Sequence, residues 1–109
     1  MAMAPGKHYI GSPIAFTANF QSAAGSDVDP TTVTFWTMDP SRASTSYVYG
    51  TDDEVVRDNA GDYTATITPD SPGRWFYKWI TTGTNLVVVD EGDFLVQDSP
   101  FYDGDVGYV

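Results

Sequence analysis

Apolar and polar residues alternate most regularly over 59–79, where two runs flank a stretch holding Pro69, Asp70, Pro72 and Gly73. In the first run Tyr63, Ala65 and Ile67 share one face, and Thr64, Thr66 and Thr68 share the other. In the second, Trp75, Tyr77 and Trp79 stand opposite Phe76, Lys78 and Ile80. Side chains of a strand alternate sides, so each run can lay an aromatic-rich face on a core. The threonines suit a solvated pleat. The pattern predicts a β-hairpin turning at 69–73, with an antiparallel sandwich built around it. Tyr63, Trp75, Tyr77, Trp79 and Phe94 are its expected core.

The remaining chain carries the same period. A first edge strand is expected over 7–10, broken by Gly11, Ser12 and Pro13. Over 14–20, Ile14, Phe16, Ala18 and Phe20 point one way. After a Ser-, Gly- and Ala-rich loop, 33–38 reads as a strand with Val33, Phe35 and Thr37 on one face and Thr34, Trp36 and Met38 on the other. Asp39 and Pro40 close it, because proline has no N–H to give a central ladder. A polar turn is expected over 41–46, then a short strand with Tyr47 and Tyr49, an acidic loop and a strand at Val55 and Val56. The last strand, over 86–96, is expected to bulge near Glu91 and Gly92. About seven strands with turn signals between them and no helical period predict an all-β sandwich. The expected organisation is an N-terminal arm over 1–8, the sandwich over 9–98 and an extended C-terminal tail over 99–109.

Composition narrows the function classes. The 109 residues suit one domain. With 41% hydrophobic and 15% aromatic residues the chain is globular in composition. Its longest apolar run, 86–89, falls far short of the roughly 20 residues that cross a bilayer, and no secretory signal is expected at the N-terminus. The absence of cysteine excludes disulfides, thiolate catalysis and cysteine-bound metals. A net charge of −10 argues against nucleic-acid backbones and anionic membranes as partners. Three acids precede residue 50 and twelve follow it. That asymmetry serves either solubility or attraction to a basic partner.

Several motifs fall in a familiar order. They are Asp29-Pro30-Thr31-Thr32-Val33-Thr34, Asp39-Pro40-Ser41, Gly61-Asp62-Tyr63-Thr64-Ala65, Pro72-Gly73-Arg74-Trp75-Phe76-Tyr77-Lys78-Trp79 and Glu91-Gly92-Asp93-Phe94-Leu95-Val96. Over roughly 9–99 the chain resembles the small immunoglobulin-like structural proteins of tailed bacteriophages. The Gly-x-Tyr, Pro-Gly-x-Trp and Phe-x-Val ordering is also similar to filamin-type immunoglobulin repeats. The resemblance implies an immunoglobulin-like antiparallel sandwich and a virion protein that is not an enzyme. Expected partners are other virion proteins, the major capsid protein or neck and tail components, with many copies in the particle. Family members carry polar residues where Trp36, Met38, Phe76 and Ile80 stand here.

Those four side chains are the first candidate site. The resemblance places their strands side by side, so the four are expected to form one outward apolar patch. Such a patch marks an interface, unless the faces are misassigned or the chain's own arms cover it. The second candidate is the tail, whose Phe101, Tyr102 and Tyr108 are interface residues if it docks on a neighbour and idle if it is disordered. No catalytic residue, cofactor or metal is expected. Asp52-Asp53-Glu54 and Asp90-Glu91-x-Asp93 could attract Ca²⁺, but neither has an EF-hand spacing. A glycosidase pair drawn from Glu54 or Glu91 has no specific signal. The single histidine, His8, has no Gly-x-Ser-x-Gly partner. Gly-x-Tyr at 61–63 is expected to be a buried tyrosine with a satisfied hydroxyl, not a tyrosine corner. The expected role is a capsid decoration or cement subunit; a neck, head–tail connector or tail ring subunit is the alternative within the virion, and a host-carbohydrate module stacking sugars on Trp36 and Phe76 the alternative of another class.

Overall fold

Stretches whose apolar residues recur at every second position become strands, and their apolar faces meet between two sheets. The computed structural model describes residues 7–83, 88–98, 102–103 and 107–108, with Lys7, Val88, Val89 and the last two pairs described by backbone alone. Its strands are β1 (Lys7–Tyr9), β2 (Ile14–Asn19), β3 (Thr32–Met38), β4 (Ser44–Val48), β5 (Val55–Asn59), β6 (Asp62–Ile67), β7 (Gly73–Thr82), β8 (Val88–Gln97), β9 (Tyr102–Asp103) and β10 (Gly107–Tyr108). One sheet runs β1-β8-β7-β3-β4 and the other β2-β6-β5. The fold is an all-β, immunoglobulin-like sandwich. Neighbouring strands of the two sheets are antiparallel except β1 and β8, which run parallel. β1 falls within the edge strand expected over 7–10.

The predicted hairpin over 59–79 is not one. β6 pairs with β2 and β5, whereas β7 pairs with β3 and β8 in the opposite sheet. The linker over 68–72 therefore crosses between layers. Pro69 and Pro72 have no N–H for a ladder. Pro69 is buried, and its carbonyl accepts the Gly11 N–H at 3.1 Å. The Trp75 indole donates to the Ser71 carbonyl at 3.0 Å. Gly73 then takes a φ of 130°, and any Cβ there would stand 2.7 Å from Pro40. The two ring-bearing faces thus look at each other across the core instead of sharing one sheet face.

Phe16 of β2 is the centre of that core. Its ring lies 5.0 Å from Phe35, 4.8 Å from Tyr77 and 5.2 Å from Phe94, on three strands of the other sheet. Trp79 extends the cluster towards Phe35 at 4.7 Å and Phe20 at 6.1 Å. Aromatic pairs at such spacings add roughly 0.5–1.5 kcal/mol beyond the area they bury. Tyr63 is buried with its hydroxyl donating to Asp29 at 3.3 Å, and it stands before the strand that would carry a tyrosine corner.

Two further details differ from expectation. The turn after β3 is shorter, because Asp39 Oδ1 accepts from Ser41 N, Ser41 Oγ and Ala43 N at 2.9, 2.6 and 3.0 Å. That closure lets Ser44, Thr45 and Ser46 pair with β3 as an edge strand. The last strand does not bulge at Gly92: its register against β7 is unbroken from Val88 to Val96. The glycine makes room for a ring. A Cβ on Gly92 would meet Tyr77 Oη at 2.5 Å and Cζ at 2.7 Å. The irregularity falls instead on β5 between Arg57 and Asn59.

Asp29 pins the long β2–β3 loop to the β5–β6 turn. Its Oδ1 accepts from Gly61 N at 2.9 Å and from Arg57 Nε at 3.0 Å. The Arg57 bond, then the Gly61 N–H, hold its carboxyl down to about 2. A depressed carboxylate stabilises the fold fully above its unfolded titration range and loses that contribution as pH falls through the folded value. Asp29→Asn should therefore lower the melting temperature at neutral pH, and the gap from wild type should close between about pH 4 and about pH 2. A gap that stays constant over that range, followed by circular dichroism, would refute the carboxylate's role. Gly92→Ala should cost about 1–3 kcal/mol in urea unfolding, and most of that cost should vanish in a Tyr77→Leu background because the two positions share one space.

Candidate functional site

The β3–β7 register decides what the outer face presents. Met38 stands opposite Phe76, Trp36 opposite Lys78, and Thr34 opposite Ile80. On the β4 side Ser44 and Ser46 adjoin Met38 and Trp36. On the β8 side Asp93 and Glu91 adjoin Phe76 and Lys78. Trp36, Met38, Phe76, Lys78 and Ser44 line an open groove of about 150 Å³. Each of these side chains is outward because its strand neighbours Phe35, Thr37, Trp75 and Trp79 are buried.

Of the four residues expected in the outward patch, Trp36, Met38 and Phe76 line the groove together with Lys78. Ile80 does not line the groove, because Lys78 stands between it and Phe76 on the same face of β7. The Lys78 ammonium lies 5.6 Å from the centroid of the Trp36 ring. Direct opposition in the register sets that contact, worth about 0.5–1 kcal/mol at an exposed site. Phe76 is 36% exposed, and Trp36, Met38 and Ile80 are half-buried. Complete burial of a large apolar side chain is worth roughly 1.5–3 kcal/mol. A ring already two-thirds covered retains about one third of that to gain. The groove alone suits a weak contact.

Charge around it is arranged in rows. Arg74 Nη1 meets Asp93 Oδ2 at 2.7 Å in an exposed pair of small energetic weight. Among the described residues Lys78 has no carboxylate within ion-pair distance. Leu95 and Tyr9 also face outward, 42% and 40% exposed, beside the Arg74 row. Sequence reasoning passed over both. Their alternation with Phe94, Val96 and His8 carried the signal, because each sits one step from an inward neighbour.

The tail candidates divide. Phe101 lies outside the described residues, while the backbones of Tyr102 and Tyr108 are register partners in the antiparallel β9–β10 pair. The acidic clusters do not converge. Asp52 is used by its own turn, Oδ2 accepting from Val48 N at 2.8 Å. Asp90 alternates with Glu91 and Asp93, so the three carboxylates divide between the faces of β8. Among the described residues no group of three or more metal-ligating side chains comes together. His8 sits on β1 with its ring edge-on to Phe94, centroids 5.9 Å apart. Burial pushes the Tyr77 hydroxyl up, with Asp90 and Asp93 adding to the effect. No protein-family model matches this chain, and no curated protein matches it either.

Proposed function

We propose that this chain is a non-enzymatic structural protein of a tailed-bacteriophage virion, bound to the capsid as a decoration or cement subunit. The reading rests on the motif resemblance, and one observation carries it furthest. A sheet stiffened by a ring-packed core holds Trp36, Met38 and Phe76 outward around a groove. Water-facing apolar side chains on a regular sheet are poor for solubility and useful for contact. The modest gain per copy suits a shell, where many weak contacts add by avidity. Sugar stacking is less favoured, because the Lys78 ammonium stands over one face of the Trp36 ring.

Mass spectrometry of purified virions, counted against the major capsid protein, tests the assignment. On the order of hundreds of copies per particle are expected for a decoration subunit, whereas a single ring's worth would place the chain at the neck or tail. Absence from the particle would reject both. A Met38→Ser, Phe76→Ser variant should keep its melting behaviour within about 1 kcal/mol and lose roughly tenfold or more of its capsid occupancy. Undiminished occupancy would remove the groove from the contact.

A further inference from the structure

The groove and the C-terminal segment have complementary chemistry. The groove offers apolar surface from Met38 and Phe76 around Lys78, a cation with no ion-pair partner among the described residues. The segment over 98–109 carries Phe101, Tyr102 and Tyr108 with Asp98, Asp103 and Asp105, and no base. Its β9 and β10 pair with each other and, among the described residues, with no strand of the two sheets. A lone two-stranded hairpin is marginal in water and gains from a surface to lie on. β8 leaves its sheet at Gln97, beside β1. On the β8 side of the groove Asp93 is paired with Arg74, and the unpaired Glu91 adjoins Lys78, so a chain folding back from that side brings its carboxylates against Glu91 as it reaches Lys78. From the β4 side the approach crosses only Ser44 and Ser46. That approach is open to a neighbour.

We infer that the groove between β3 and β7 receives the acidic, aromatic C-terminal segment of a second copy of this chain. Its carboxylates are drawn to Lys78 and its rings cover Met38 and Phe76. The contact is head-to-tail: each copy has one groove and one tail, and the arrangement closes into a ring or continues as a row. It rests on the proposed structural role and gives the groove a specific occupant.

Charge exchange in the full chain tests it, with mass read by light scattering and sedimentation over a range of concentrations. Wild type is expected to associate as concentration rises. Lys78→Glu and, separately, Asp103→Lys with Asp105→Lys should each weaken association by about tenfold while leaving the circular dichroism melt unchanged. An equimolar mixture of these two variants should associate again, because each tail then finds a groove of opposite charge on the other copy. Docking within one chain cannot give that recovery. A wild type that stays monomeric, charge variants that associate like wild type, or a mixture that fails to recover would each overturn the inference. Virion copy number is read on a different sample, so a failure here leaves the capsid assignment to be judged separately.

Discussion

Phe16 is the ring on which the two layers depend. With no cysteine in the chain, no disulfide ties the three-stranded sheet to the five-stranded one. Contact with Phe35, Tyr77 and Phe94 does that work, and each partner belongs to a different strand. Losing any one ring would leave a cavity flanked by the others, and cavities in such cores are expensive. The consequence reaches the surface. Because β3, β7 and β8 are held from beneath by one ring, their outward residues keep a fixed register, and the groove inherits its shape from the core.

The alternation of apolar positions made the inward faces legible. Val33, Phe35, Trp75, Trp79, Phe94 and Val96 are all buried, as a period of two requires. Connectivity was less legible. Two adjacent runs joined by a proline- and glycine-bearing linker can either pair or cross between layers, and both place rings on a core. What distinguishes them here is Pro69, buried and bonded through its carbonyl to Gly11, a contact between positions far apart in the chain. Gly92 shows the same limit. A glycine within a strand signals a bulge or a close approach, and the choice depends on Tyr77 in the neighbouring strand.

The candidate site was half legible. Parity placed Trp36, Met38 and Phe76 on one face, and the register brought them together. The same parity had put Lys78 on that face, but only the pairing with Trp36 made it a divider that separates Ile80 from the groove. The Asp29 cluster lay beyond sequence reasoning, since its donors come from Arg57, Gly61 and Tyr63, about thirty residues away. Its chemistry is ordinary. Its importance lies in tying a long loop to the β5–β6 turn at the end of the three-stranded sheet from which that loop departs.

The parallel pairing of β1 with β8 also has a mechanical meaning. Lys7 enters one end of that pair and Gln97 leaves at the other, with both strands running the same way. Tension applied between the two extremities therefore slides one strand along the other, loading their backbone bonds together instead of peeling them apart in turn. A subunit anchored at one extremity and pulled at the other meets the force in its stiffer direction.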